Sequence, residues 1–218
     1  MAVRPTPAPC SPFTAAPATA WNAAIAPNRP KPYDAGLDQP PPSAPPARVI
    51  LCAGPRTGAN ALARAMLAAG LGIPTDYFLP AYERRLAERW GVPVPAGRAA
   101  ATAQYVSTLI EKRSINGVFA TKVQFWQLQR ALCNPAGRAF FEGAHLVYMT
   151  RGDAQGQAVL LAVAQDARNF GNTVVECALP APSTRQLRRA VARVLREDAN
   201  FQRFFALSGL RPTVMSYA

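Results

Sequence analysis

The residues of this chain best arranged for chemistry are Gly54-Pro55-Arg56-Thr57-Gly58, a turn that sets a cation and a hydroxyl between two glycines. In front of it, Val49–Cys52 reads as a short buried strand; behind it, Leu62, Met66 and Leu67 give a helical apolar stripe. A strand, a tight turn and a helix N-terminus make a cradle for phosphate, because the first helix amides have no intrahelical acceptor and point into the turn. Arg56 adds a fork of donors and Thr57 a hydroxyl. The chemistry that suits this spacing is binding of a phosphorylated ligand, a nucleotide above all. The loop is not a Walker A sequence, which needs G-x-x-x-x-G-K-S/T; Ala59 and Asn60 follow Gly58 here. The G-x-G-x-x-G dinucleotide pattern is absent as well. On these residues alone, a glycine turn that merely reverses the chain stays equally open.

A second cation stands in a similar place. Ala144–Thr150 reads as a buried strand and ends at Arg151-Gly152-Asp153. In a parallel sheet, Arg56 and Arg151 would leave the same edge and face a common crevice, a layout suited to a ligand with charge at both ends. A surface arginine at a strand end is the alternative for Arg151.

The elements that must position these residues follow from the pattern. Helices are expected at Ala81–Trp90, Ala99–Arg113, Phe125–Cys133 and Gln155–Asn169, and strands at Val118–Lys122 and Thr213–Tyr217. Ser183 or Thr184 is placed to cap a long helix through Ser208, with Gly209 beyond its end. Thr173–Leu179 is left undecided. Strands separated by helices give an α/β domain with a mainly parallel sheet and ligands at the strand C-terminal ends.

More than half of the 22 prolines precede Ala47, and Gln39–Pro46 (QPPPSAPP) cannot sustain helix or ladder hydrogen bonds. Residues 1–46 therefore read as a disordered Pro/Ala-rich leader, without the apolar segment of a signal peptide. Residues 47–218 form one domain. No apolar run is long enough to span a membrane, and a cytoplasmic protein is the expectation.

The formal charge of +12 and pI near 10.4 raise nucleic acid as a partner. Arginine supplies nearly all of it, and no zinc-finger spacing, RNP-like aromatics or recognition helix accompany it, so no nucleic-acid partner is expected. A basic cleft for a small polyanion explains the sign as well. Cys10, Cys52, Cys133 and Cys177 are widely spaced, and with His145 as the lone histidine they form no metal set. His145 itself reads as structural.

Four blocks then acquire a joint meaning. AGPRTGANAL (Ala53–Leu62), GIPTDYF (Gly72–Phe78), GVFATKVQFWQ (Gly117–Gln127) and LVYMTRGDAQGQAV (Leu146–Val159) resemble, in order and spacing, blocks of the bacterial trehalose 2-sulfotransferase-like family. Asn200–Ala218 is similar to the family's late helix and strand. The resemblance implies a three-layer, P-loop-like domain. It also implies transfer of a sulfuryl group from 3′-phosphoadenosine-5′-phosphosulfate (PAPS), as co-substrate, to a hydroxyl of a carbohydrate or glycolipid, without a metal. By it, Arg56, Thr57, Gly58, Ala59 and Asn60 hold the 5′-phosphosulfate, Arg56 acts in catalysis, and Arg151 holds the 3′-phosphate. Asp76 takes the place of a general base, as Asp where the family pattern has Glu, and Lys122 binds sulfate or acceptor.

The chain departs from that pattern in three places. Ala59 replaces a hydroxyl in the cradle, and Val159 and Leu160 stand where a serine completes the 3′-phosphate site. The family continues past the strand TVMSYA into further helices, which leaves homodimer formation open as a way to cover that face. Two other readings remain at this level: a sulfotransferase-like binding module with little or no turnover, and a basic nucleic-acid-binding domain.

Overall fold

The structure, a computed structural model, describes residues 32–94, 102–166 and 181–217. Its centre is β1 (Ala47–Ala53), whose Val-Ile-Leu-Cys run is apolar towards both faces, as a strand covered on two sides requires. β3 (Val118–Val123) lies parallel to it on one side and β4 (His145–Arg151) parallel on the other. β5 (Thr213–Tyr217) extends the sheet parallel to β4, and the two-residue β2 (Ser114–Ile115) closes the opposite edge antiparallel to β3. The order β2-β3-β1-β4-β5 makes the chain step first to one side of β1 and then to the other. A ligand crevice opens at the strand C-terminal ends where such an order reverses. The α/β class and the mainly parallel sheet are as the pattern of apolar runs suggests.

Helices pack on both faces. Helix α1 (Ala59–Ala68) lays Ala63 and Met66 on Leu51 and Ala120. The opposite face carries α2 (Pro80–Trp90), α3 (Ala103–Arg113), α4 (Phe125–Leu132), α5 (Pro135–Phe141) and α7 (Thr184–Ser208). There Ile50, Cys52, Phe119, Val123 and Tyr148 meet Phe78, Leu109, Phe140 and Phe201 in one aromatic-rich core. Helix α6 (Ala154–Asp166) pairs with α7 through Ala158, Leu161, Ala190 and Val194.

Local chemistry sets the helix ends. Ser183 caps α7, accepting from the Gln186 amide while the Gln186 side chain accepts from the Ser183 amide at 2.7 Å, and Gly209 ends it in the left-handed conformation. Helix α5 was not foreseen from the sequence. Asn134 Oδ1 accepts from the Gly137 amide at 2.8 Å and Pro135 supplies a preset first turn, but seven residues are too few to show a period.

Residues 32–46 correct the expected extent of the leader. They are packed against the domain: Asp38 pairs with Arg89 at 2.7 Å and with Arg113 at 3.1 Å, and the Gln39 amide donates to the Lys112 carbonyl. The Arg113 side chain is wholly buried, so the Asp38 carboxylate is the charge that makes its burial tolerable. Residues 1–31 and Thr173–Leu179 lie outside the described residues, as do Cys10 and Cys177. Cys133 is exposed and Cys52 buried, its thiol pushed up to about 12 by desolvation, which makes it an inert core side chain at neutral pH.

Candidate phosphate-binding site

β1 delivers the loop Gly54–Gly58 to the C-terminal edge of the sheet. Two bonds fix the loop's shape. Thr57 Oγ1 donates to the Gly54 carbonyl at 3.0 Å, and Gln157 Nε2 of α6 donates to the Pro55 carbonyl at 2.7 Å. Thr57 is buried, so its hydroxyl closes the turn from within. Arg56 holds a φ of +63°, and Gly58 caps α1 at φ +82°. The amides of Ala61 and Leu62 both donate to the Gly58 carbonyl. Those of Ala59 and Asn60 precede any carbonyl of their own helix and define the anion-attracting end of α1. Burial lowers the pKa of the Arg56 guanidinium.

On the β3 side, Lys122 Nζ donates to Asn60 Oδ1 at 2.6 Å and pairs with Asp76 Oδ2 at 3.0 Å. Asp76 is brought there by a one-residue bridge, Thr75 beside Thr121; the Thr75 carbonyl accepts from the Lys122 amide and from Thr121 Oγ1. Three residues expected in the site, Asn60, Asp76 and Lys122, thus form one bonded group at the start of α1.

On the β4 side, Arg151 Nη1 makes a long 3.4 Å bond to the Arg56 carbonyl, and its guanidinium lies 5.5 Å from the centre of the Tyr217 ring. Its Nε is buried without a hydrogen-bond partner. Arg151 therefore rests against the loop itself. The Tyr217 ring also covers Gly58 so closely that a Cβ there would lie 2.5 Å from it. The residues at the expected 3′-phosphate position give no hydroxyl: Val159 and Leu160 are each 43% exposed. The Gly156 amide is already taken by Asp153 Oδ1 at 2.7 Å.

A cleft of about 220 Å³ opens beside the loop, lined by Gly54, Thr57, Tyr148, Arg151, Gln157 and Asp198 among others. The Tyr148 hydroxyl donates to Asp198, and burial together with that carboxylate raises its pKa. Helix α7 brings a further acid to the edge, Glu197, whose Oε2 accepts from the Phe125 amide at 3.1 Å. Burial raises its carboxyl above the usual range, against the opposing pull of that amide and of Arg193.

Gln157, Tyr217, Asp198 and Glu197 were missed from the sequence. Gln157 sits one turn into α6 after Arg151, but nothing local marks it as a brace. The other three reach the site through the path of α7 and the pairing of β5. Among the described residues there is no cluster of three or more His, Cys, Asp or Glu side chains suited to a metal ion, and no helix is long and apolar enough to cross a membrane. No protein-family model matches the chain, and no curated protein matches it.

Proposed function

We propose that the chain is a three-layer, P-loop-like sulfotransferase that moves a sulfuryl group from PAPS to a hydroxyl of a carbohydrate or glycolipid. One observation carries this reading: Arg56, Lys122 and Arg151, from three different strand ends, meet around one glycine turn at a helix N-terminus. Such an edge favours a phosphosulfate. As the acceptor oxygen bonds to sulfur, the bridging S–O bond breaks and its electron pair stays on the 5′-phosphate. The α1 amides and Arg56 oppose that growing charge, an effect worth about 2.7–4 kcal/mol per preorganised donor. Asp76 is the candidate acceptor of the hydroxyl proton, held by Lys122 at one oxygen. No metal enters this scheme. A cytoplasmic location and a homodimer belong to the same proposal.

Calorimetry with 3′-phosphoadenosine-5′-phosphate, the desulfated product, tests it. Binding in the micromolar range is expected, with Arg56→Ala and Arg151→Ala each losing roughly ten- to hundredfold, the value of a hydrogen bond to a charged group. Loss of affinity to neither substitution would refute the assignment.

A second reading is favoured by the exposed Val159 and Leu160 and by the Tyr217 ring over Gly58. In it the chain is a binding module of sulfotransferase-like build that grips the nucleotide weakly and turns over little or nothing. Absence of product-nucleotide binding at millimolar concentration would select it. A basic nucleic-acid-binding domain would instead show steeply salt-dependent DNA affinity that ignores Arg151→Ala.

A further inference from the structure

We propose that Glu197 is a proton site coupled to the Gly54–Gly58 loop, so that a phosphate-bearing anion enters the loop together with a proton on this carboxylate. The inference rests on the anion-binding part of the reading above and not on sulfuryl transfer. Helix α7 crosses the strand ends so that Glu197 Cβ lies 3.6 Å from where a Cβ on Gly54 would stand, with Thr57 Cγ2 and Gln157 Nε2 at 3.8 and 3.9 Å from the same point. Oε2 is fixed by the Phe125 amide, and the second oxygen has no hydrogen-bond partner among the described residues.

The charged neighbours leave Glu197 as the carboxylate that can respond. On its own helix, Arg193 donates to Gln124 Oε1 at 3.3 Å, and Asp198 is held by Tyr148 and Gln202. Helix α4 offers the Phe125 amide and α6 the neutral Gln157, while Arg193 is the cation that acts on Glu197 and draws its pKa down against burial. Asp76 is on the other face of the sheet, paired with Lys122. An anion in the loop therefore meets a half-buried carboxylate whose protonated form burial already favours. For charges about 10 Å apart at an effective dielectric of about 20, the anion would raise that proton affinity by on the order of one pH unit. The loop should thus bind more tightly as pH falls through the raised pKa of Glu197.

The test is calorimetry of the full chain with pyrophosphate and with 3′-phosphoadenosine-5′-phosphate in buffers of different ionisation heat, for wild type and Glu197→Gln. The ligand's own ionisation is common to both proteins and cancels in the difference. Wild type should take up a larger fraction of a proton per anion than Glu197→Gln, and the variant should bind about tenfold tighter at about pH 8, where wild type carries the repelling charge. Carboxyl-carbon NMR of wild type gives a second readout: the Glu197 midpoint should rise by on the order of one pH unit when pyrophosphate is added. Equal proton uptake by the two proteins, or an unmoved midpoint, overturns the proposal. If neither ligand binds, it falls together with the phosphate-loop reading. Pyrophosphate binding with uptake but no binding of the nucleotide keeps it and removes the PAPS assignment alone.

Discussion

The two sides of β1 are held in different ways. Towards β3, Phe119 and Val123 are buried among Tyr77, Phe78 and Phe140, and the site residues Asn60, Lys122 and Asp76 are bonded to one another. Towards β5, every residue of the outer strand is exposed, Val214 by 62%, and the loop is met by the Arg151 guanidinium and the Tyr217 ring. One wall of the crevice is fixed by packing, while the other stands on a strand with a single hydrogen-bonded neighbour among the described residues. A site of this kind has a stable reference side and a side whose contacts can be changed at small cost to the fold.

The largest effects should come from the aromatic core and from the ion pair that seats residues 32–46. Phe201 has no exposure and touches both Phe125 and Tyr148, with ring centres 5.4 and 5.5 Å away. Phe201→Ala should cost about 3–5 kcal/mol in chemical denaturation. Asp38→Ala should cost a similar amount, about 3–5 kcal/mol, because it leaves Arg113 buried without its carboxylate. A loss under about 1 kcal/mol for Asp38→Ala, below that range, would mean that residues 32–46 are not packed on the domain in solution.

Gly58 joins the two sides, and its substitution should have an intermediate effect. Gly58→Ala forces an L-residue to φ +82° and drives its Cβ into the Tyr217 ring, so a loss of about 1–3 kcal/mol is expected. Shortening the ring in the double variant Gly58→Ala/Tyr217→Ala should recover part of that loss. A double-mutant cycle with coupling below about 0.5 kcal/mol would show that Tyr217 does not rest on the loop.

The fold was legible in the sequence wherever a residue's role is set by its neighbours in the chain. β1, β3 and β4 are largely apolar runs, and Ser183 or Thr184 and Gly209 mark the two ends of α7. β2 was not legible, since two residues carry no pattern and are a strand only through their pairing with β3. The nearness of Arg56 and Arg151 could be read because parallel strands end at one edge. Their direct contact could not, because a parallel ladder fixes the edge and not where a side chain folds back. The Asp76–Lys122 pair depends on the Thr75–Thr121 bridge, and Glu197 on the crossing angle of a helix that begins far from the loop; neither leaves a local trace.

Glu197→Gln should have a small effect on stability whose sign depends on pH. Burial raises the native carboxyl's pKa above its unfolded value, so the native state favours the protonated form. That contribution is complete below the unfolded pKa and is lost as pH rises through the native one. The variant should match wild type at about pH 4 and exceed it by a few tenths of a kcal/mol at about pH 8, the residue being exposed enough for solvent to screen much of the penalty. A variant less stable at the higher pH would mean that the Phe125 amide and Arg193 favour ionised Glu197 by more than burial penalises it.

The smallest effect is expected at Val214, and it is the sharpest check on the difference between the two sides. Val214 pairs in register with Tyr148 and points to the same face, yet most of its surface meets solvent. Threonine keeps the β-branch and hence the strand preference, so Val214→Thr removes little except exposed apolar surface and should change stability by less than about 0.5 kcal/mol. A loss above about 1 kcal/mol, beyond that surface range, would show that the outer face of β5 is covered in solution. The Arg151–Tyr217 wall would then be as firmly held as the β3 side, and the thermal midpoint of wild type would rise with protein concentration if a second copy supplies the cover.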